Sequence, residues 1–192
     1  MEIEALREKA SQLKEKGLSN FEIAAELNVA EETVEWLLSK REEERPAKDV
    51  RIGWRSIGVY STRISYISNA LSDIILEEMN NRNLEIDTVV GISINGIPYA
   101  TLIAEELGLE LAVFRPQAEG SGFFSSNFAS VRDKKVVIVD DVVGTGKTMR
   151  KAISATKKEG GEPVLCIAVV NKRAQNDVDG IPLRALIRTR II

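Results

Sequence analysis

The chain has 192 residues, of which 44% are hydrophobic and 29% charged, with a formal net charge of −3. This composition is ordinary for a globular protein, and the small negative charge gives no global argument for nucleic-acid binding. The sequence contains no histidine, which excludes the commonest general base and the commonest zinc ligand. Any chemistry must therefore use carboxylates, lysines, bound magnesium or geometry.

The apolar pattern predicts a cytoplasmic protein without a membrane partner. No apolar run approaches the roughly 20 residues that a membrane-spanning helix needs. The residues after Met1 show neither the basic start nor the apolar core of a secretion signal. The single cysteine, Cys166, falls in the apolar run 164–170, where we expect a buried core thiol.

Three short helices are predicted before residue 40. In the first, apolar residues recur at helical spacing and stop at Gly17, a residue type that suits a helix C-terminus. Ser19 suits the N-cap of the second helix, with Glu22 as the partner in a capping box. A turn at 28–30 leads to a third helix, whose inner face would carry Val34, Leu37 and Leu38.

The run 17–36 resembles a helix-turn-helix DNA-binding motif. In that motif the third helix lies in the major groove of double-stranded DNA. The resemblance implies DNA contacts through a set of residues in and after this helix: Glu31, Glu32, Thr33, Glu35, Trp36, Lys40 and Arg41.

The charge of this region opposes DNA binding. Residues 1–48 hold eight lysines and arginines against twelve glutamates, a formal charge of −4. A glutamate can still accept a hydrogen bond from cytosine N4. Phosphate contacts would come from the basic residues Lys14, Lys16, Lys40, Arg41 and Arg45. The alternative is a three-helix module for dimerisation or partner binding.

Two domains are predicted, at residues 1–45 and 50–192. A charged stretch at 40–49 interrupts the apolar pattern, and Pro46 within it favours an extended conformation in the preceding residue. We therefore interpret this stretch as a helix end followed by a short linker.

The second domain alternates predicted helices with predicted strands. Helices are expected at 61–78, 97–107 and 149–158, and strands at 87–92, 111–114, 136–139, 164–170 and 183–187. This alternation predicts an α/β fold, with a parallel sheet flanked by helices and right-handed crossovers, behind a small all-α domain.

One strand and its following turn carry the strongest functional signal. The apolar run 136–139 is typical of a strand buried on both faces, and Asp140 and Asp141 stand where this predicted strand ends. A Gly/Thr-rich turn at 144–148 then leads into a helix. Backbone N–H groups in such a turn can bind a phosphate, and paired acids can bind vicinal hydroxyls or a metal-bound group. A ribose 5-phosphate fits both features.

This segment has two other interpretations. The triplet 146–148 is similar to the end of a nucleotide-triphosphate P-loop, but that motif needs a glycine five residues before Gly146, where Asp141 stands. The second interpretation is an ordinary strand–turn–helix whose acids only cap the helix.

The segment 134–149 resembles the signature of type I phosphoribosyltransferases, which bind 5-phosphoribosyl 1-pyrophosphate (PRPP). The resemblance implies that Asp140 and Asp141 contact the ribose hydroxyls. The 5-phosphate would be wrapped by Gly144, Thr145, Gly146, Lys147 and Thr148. The pyrophosphate would be bound by the turn Ser93, Ile94, Asn95 and Gly96. Mg²⁺ would accompany bound PRPP without a direct protein ligand.

The match is nearest to orotate phosphoribosyltransferases. In these enzymes an arginine at the place of Arg150 contacts the base carboxylate, although a surface arginine is the alternative here. Their mobile catalytic loop contains Lys and His, whereas the corresponding segment 115–128 has neither. Its glycines suggest mobility, and Arg115, Phe123 and Phe124 are the candidate lid residues.

A helix-turn-helix joined to such a domain resembles the archaeal orotate phosphoribosyltransferase-like transcriptional regulators, the GfcR family, over nearly the whole chain. This resemblance implies a homodimer that binds a DNA operator and senses PRPP or a nucleotide. The alternative is an active phosphoribosyltransferase of the orotate or purine type. It would convert a base and PRPP to a nucleotide and pyrophosphate, with an accessory helical domain.

Overall fold

The computed structural model describes residues 2–39 and 50–189. The chain forms two compact units, which are divided in sequence between Ser56 and Ile57. The predicted linker at 40–49 lies outside the described residues, so the domain boundary proposed there stays a prediction. Within the described ranges, each helix is too short or too polar to cross a membrane.

The first unit contains the three predicted helices, α1 (Glu2–Glu15), α2 (Asn20–Leu27) and α3 (Glu31–Leu38). The predicted capping box is confirmed: the Glu22 backbone N–H donates to Ser19 Oγ at 3.2 Å, and the Ser19 N–H donates to Glu22 Oε2 at 2.8 Å. Helix α2 ends at Asn28, which has a left-handed φ of 54°. This short connection turns the chain directly into α3.

The core of the first unit is small and comes from all three helices. Its buried members share one property, an apolar side chain on the inner helix face: Ala10, Ile23, Ala24, Leu27, Val34 and Leu37. Partly buried apolar side chains, including Leu6 and Leu13, pack against them. The helical spacing in the sequence therefore predicted this core.

The second unit alternates helices and strands. A short helix, α4 (Arg55–Gly58), lies at the division between the units, and the longer helices are α5 (Ser61–Arg82), α6 (Gly96–Leu107) and α7 (Lys147–Lys158). The strands are β1 (Thr88–Ile92), β2 (Glu110–Arg115), β3 (Phe123–Phe124), β4 (Lys135–Val143), β5 (Glu162–Asn171), β6 (Asp177–Val178) and β7 (Ile181–Arg188).

These strands form one seven-stranded sheet in the order β3-β2-β1-β4-β5-β7-β6. The five inner strands are parallel, which confirms the predicted α/β fold. The two edge strands are antiparallel, so the sheet is mixed rather than wholly parallel. Neither edge strand was predicted, because two residues are too few to show a periodic apolar pattern.

Strand β4 continues further than the sequence predicted. The expected strand covered 136–139, whereas β4 extends to Val143, so Asp140 and Asp141 lie inside the strand. The reason is the neighbouring β5, which has ten residues against nine in β4 and pairs its Val170 with Val142 and its Asn171 with Val143. The continuing ladder holds the acid pair in the sheet.

Helices cover the sheet. The buried side chains Met149, Ala152 and Ile153 of α7 pack against the sheet face that carries Val90 and Ile138. Cys166 belongs to this core and is fully buried, as predicted. Burial raises the pKa of its thiol to about 12, with a smaller contribution from the charge of Asp179, which keeps the thiol protonated at neutral pH.

Candidate ligand-binding site

The candidate site lies where the sheet changes direction. Strands β1 and β4 are parallel neighbours, with Gly91 paired to Val139. Helix α6 connects β1 to β2 on one side, and α7 connects β4 to β5 on the other. In open α/β sheets this switch point leaves a crevice beyond the carboxyl ends of the strands, where ligands bind. Both predicted binding turns follow these two strands.

The turn after β1 is formed by residues Ser93–Gly96. Its Ser93–Ile94 peptide is cis, and the Ser93 N–H donates to the Phe114 carbonyl at 2.8 Å, which ties the turn to β2. In the described part of the chain, no residue accepts the N–H groups of Ile94, Asn95 or Gly96. The Ile94 side chain is 82% exposed. The turn therefore presents three backbone donors at the start of α6.

The acid pair is buried in the crevice. Asp140 and Asp141 are only 9% and 4% exposed, and their side chains extend from opposite faces of the sheet because successive residues of a strand alternate. Asp140 Oδ1 accepts the Asp141 N–H at 2.9 Å, and Asp141 Oδ1 accepts the Val142 N–H at 2.7 Å. The second oxygen of Asp141, Oδ2, is buried without a hydrogen-bond partner among the described residues.

Burial dominates the electrostatics of this pair. Desolvation raises the pKa of Asp140 well above its ordinary value, and the charge of Asp141 raises it further. Desolvation also raises the pKa of Asp141, although the Val142 backbone N–H and the nearby Asp140 and Asn95 side chains oppose the rise. A Cβ atom built on Gly96 would come within 3.2 Å of the Asp140 Cα, so the β1 turn lies directly beside the strand that carries the acid pair.

The turn after β4 contains the residues predicted to wrap a phosphate. Gly146 caps α7 with a left-handed φ of 79°, and the Lys147 N–H donates to Thr145 Oγ1 at 3.3 Å. Among the described residues, none accepts the N–H groups of Gly144, Thr145 and Gly146. These donors precede α7, whose N-terminus carries a partial positive charge. The turn thus has the backbone properties of an anion site.

Two arginines share one carbonyl oxygen of this turn. Arg173 Nη1 donates to the Thr145 carbonyl at 2.7 Å, and Arg150 Nη2 donates to the same oxygen at 3.2 Å. Arg150, the predicted base contact, therefore lies beside the phosphate turn. Arg173 was missed because it follows β5, at a sequence separation of 28 from Thr145. The one signal in the sequence was its position just after an apolar strand, at the carboxyl end of the parallel sheet.

The candidate lid is partly held by the sheet. Phe124 pairs with Phe114 in the ladder, and their ring centroids are 5.4 Å apart. Phe123 is 44% exposed, and the Arg115 guanidinium lies 5.7 Å from its ring centroid. Earlier in the segment, the carbonyls of residues 117 and 118 both accept a hydrogen bond from Lys151 Nζ. This contact between α7 and the segment was not predicted, because its partners lie 34 and 33 residues apart in the chain.

The helix predicted to contact DNA has a mixed surface. The side chains of Glu32 and Glu35 are exposed, whereas Glu31 and Thr33 are partly buried. Trp36 packs against the core of the first unit, with the Arg7 guanidinium 4.9 Å from its ring centroid. Lys40 and Arg41, the basic members of the predicted set, lie outside the described residues, as does Arg45.

Comparisons with known proteins agree with this fold. The family model described as "Phosphoribosyl transferase domain" matches residues 63–183. The structure of adenine phosphoribosyltransferase from Thermoanaerobacter pseudethanolicus matches with a TM-score of 0.60, covering 77% of this chain and 92% of that one. Its sequence identity is 15%, so this likeness shows the fold alone. The second unit is a domain of the phosphoribosyltransferase class.

Similarity over the whole length narrows this class to one family. The chain is 53% identical to the transcriptional regulator GfcR of Thermoplasma acidophilum, covering 99% of this chain and 97% of that protein. It is 50% identical to the transcriptional regulator GfcR of Picrophilus torridus, covering 99% and 98%. The chain belongs to the GfcR family of transcriptional regulators.

Proposed function

We propose that the protein is a DNA-binding transcriptional regulator whose phosphoribosyltransferase-like unit senses PRPP or a related nucleotide or phosphorylated sugar. A homodimer would bind a double-stranded DNA operator through the helix-turn-helix units. The names of the relatives support the regulatory role, and the chemistry of the crevice supports the ligand.

One observation carries the ligand part of the proposal. The buried Asp141 Oδ2 has no donor among the described residues, and a buried acceptor without a partner is costly. A ribose hydroxyl would satisfy it. The turns that follow β1 and β4 also offer backbone N–H groups that no described residue accepts, and such groups suit phosphate oxygens. Carboxylates that accept from hydroxyls, together with two turns that suit phosphates, match a ribose phosphorylated at both ends.

Magnesium would enter with PRPP rather than bind alone. Among the described residues, no three His, Cys, Asp or Glu side chains cluster in a way that could hold a metal ion. The raised pKa values of Asp140 and Asp141 follow first from desolvation, so a nearby cation would favour their charged forms. Bound magnesium would supply the charge that screens the pyrophosphate.

The first unit supports DNA binding by its helix arrangement and not by its charge. The exposed carboxylates of Glu32 and Glu35 would lie near phosphates if α3 enters the major groove. Glu35→Gln should then strengthen binding to DNA of any sequence, whereas Glu15→Gln at the end of α1 should change it little. If both substitutions act equally, net charge rather than the placement of α3 explains the effect.

Regulation requires that the ligand distinguish two conformations, because equal binding to both would shift nothing. The test measures fluorescence anisotropy with the upstream DNA of the protein's own gene, with and without PRPP and Mg²⁺. We expect PRPP to change the DNA affinity at least about fivefold, and Asp141→Asn to bind DNA but lose this response.

DNA binding that does not weaken with salt would contradict phosphate contacts. A DNA affinity that PRPP leaves unchanged would contradict sensing. Sedimentation of the same sample tests the dimer.

The second candidate function is phosphoribosyl transfer, which the presence of the phosphoribosyltransferase domain favours. Against it, the segment 115–128 has no lysine or histidine to stabilise departing pyrophosphate. The lysine that reaches this segment, Lys151, donates to its carbonyl oxygens. Incubation with PRPP, Mg²⁺ and each nucleobase in turn decides the question. Pyrophosphate release at about 1 s⁻¹ or faster, within the usual range of enzymes, would establish the enzyme.

A further inference from the structure

Arg173 connects the predicted phosphate turn, residues 144–148, to the start of β6. Its guanidinium donates from Nη1 to the Thr145 carbonyl at 2.7 Å and from Nη2 to the Asp177 carbonyl at 3.3 Å. The base of the side chain is also fixed, because the Arg173 N–H donates to Asn171 Oδ1 at 2.9 Å. One side chain therefore bridges two segments that are distant in sequence.

The bond to Thr145 fixes the orientation of a peptide group. The Thr145–Gly146 peptide is trans, and in a trans peptide the C=O and the N–H point in opposite directions. When Arg173 holds the Thr145 carbonyl on its side, the Gly146 N–H must point the other way. No described residue accepts that N–H, so it is available to a ligand.

The guanidinium lies directly on the turn. A Cβ atom built on Gly146 would come within 2.4 Å of Arg173 Nη1 and 3.2 Å of its Cζ. The left-handed φ of Gly146 favours glycine, and the guanidinium occupies the space where a side chain would lie. Arg150 reaches the same carbonyl from within α7, but at the longer distance of 3.2 Å. Arg173 makes the closer hydrogen bond of the two.

We infer that Arg173 is a positioning residue, which orients the Thr145–Gly146 peptide so that the Gly146 N–H faces a bound 5-phosphate. The inference rests on the proposed function, since it names a residue that shapes the phosphate site. In this role the geometry of the guanidinium matters more than its charge. A lysine keeps the charge but cannot bridge two carbonyls with a planar fork.

The test compares three variants of the full chain. Arg173→Gln removes the charge and the bridge, and Arg173→Lys removes the bridge alone. Arg188→Gln is the matched control, because Arg188 Nη2 donates at 3.0 Å to the carbonyl of Ala174, the residue after Arg173, and no hydrogen bond links it to the phosphate turn among the described residues. Two quantities are measured: the affinity for ribose 5-phosphate by calorimetry, and the Gly146 amide resonance of the ligand-free protein with its ¹⁵N heteronuclear NOE.

Both Arg173 variants should bind ribose 5-phosphate about tenfold more weakly than the unmodified protein, which corresponds to about 1.4 kcal/mol. In both, the Gly146 resonance should shift and its heteronuclear NOE should fall. Arg188→Gln should bind ribose 5-phosphate within about twofold of the unmodified protein, a much smaller change than the tenfold loss expected for the Arg173 variants. An Arg173→Lys variant with unchanged affinity would overturn the inference, since charge alone would then suffice.

The ligand-free measurement separates this inference from the proposed function. If the unmodified protein binds no ribose 5-phosphate or PRPP, the proposed function fails. The Gly146 resonance still reports whether Arg173 orients the peptide. An unchanged Gly146 resonance in both Arg173 variants would overturn the inference even if the unmodified protein binds the ligand.

Discussion

Gly96 lies in direct contact with the backbone of Asp140. A Cβ atom built on Gly96 would come within 3.2 Å of the Asp140 Cα and within 2.5 Å of the preceding carbonyl oxygen, that of Val139. The first residue of α6 thus packs against the strand that carries the acid pair. The absence of a side chain at Gly96 sets the spacing between the predicted pyrophosphate turn and the predicted ribose site.

Gly96→Ala should therefore disturb the local fold and weaken the candidate PRPP site. The added methyl group would force β4 and the β1 turn apart, and such overpacking typically costs about 1–3 kcal/mol of unfolding free energy. We expect that loss in urea unfolding, together with at least tenfold weaker PRPP binding, which is about 1.4 kcal/mol of binding free energy. Gly53→Ala is the control, because a Cβ atom there meets nothing within 4 Å. Wild-type PRPP affinity in Gly96→Ala would show that the spacing is unimportant.

The buried acid pair should destabilise the folded protein at neutral pH. Because burial and the charge of Asp141 raise the pKa of Asp140 above its ordinary value of 3.8, the folded state binds the proton more tightly than the unfolded state. Stability should therefore fall as pH rises from about 3.8 through the raised pKa. Asp140→Asn cannot ionise, so it should be more stable than the unmodified protein at pH 7.

Urea unfolding at several pH values measures this effect. Asp133→Asn is the matched control, since Asp133 is exposed and has a left-handed φ of 58° that asparagine also tolerates. An Asp140→Asn variant that is less stable than the unmodified protein at neutral pH would show that the acid contributes to the fold rather than opposing it.

Lys151 should restrict the segment that precedes β3. Lys151→Met keeps an unbranched side chain but removes the donor to the carbonyls of Gln117 and Ala118. We expect amide hydrogen exchange across 117–122 to increase at least about tenfold, which corresponds to 1.4 kcal/mol of local opening free energy. Lys157→Met, on the exposed last turn of α7, should leave exchange in this segment unchanged. Equal exchange in both variants would mean that other contacts hold the segment.

The capping box should determine how firmly α2 begins. Ser19→Ala removes the hydroxyl that accepts the Glu22 N–H, and loss of an N-cap side chain typically costs about 1 kcal/mol. The Ser19 backbone N–H and hydroxyl lower the pKa of Glu22 below its ordinary value of 4.5. Its contribution to stability is thus present above pH 4.5 and is lost as the pH falls below that value. Amide exchange in α2 at pH 7 and pH 4 measures both effects.

Ser11→Ala serves as the control for Ser19→Ala. Ser11 is exposed in the middle of α1, where alanine has the higher helix propensity. If Ser11→Ala and Ser19→Ala change the exchange of α2 equally, the capping box is not the cause.

Local patterns in the sequence predicted most of the fold. The capping box at Ser19 and the apolar core residues of the first unit depend on neighbours three or four positions away, which helical periodicity reports. The strand 136–139 and the turn 144–148 likewise lie next to each other in the chain. Signals of this range are present in a single sequence, so the helices of the first unit and the inner strands were found.

The remaining features depend on partners that are distant in sequence. Arg173 meets Thr145 only because β4 and β5 lie side by side. Lys151 meets the carbonyls of Gln117 and Ala118 only because α7 packs on the sheet face. Strand β3 exists because Phe124 can pair with Phe114. The placement of Asp140 inside β4 follows from the length of β5. None of these contacts produces a periodic pattern of apolar residues, so a single sequence does not reveal them.

Calorimetry with PRPP and Mg²⁺ tests the central claim most directly. The unmodified protein should release or absorb measurable heat and saturate at one PRPP per chain, whereas the Asp140→Asn, Asp141→Asn double variant should give no binding heat. Absence of binding heat from the unmodified protein, or full binding by the folded double variant, would contradict a ribose phosphate site at the acid pair.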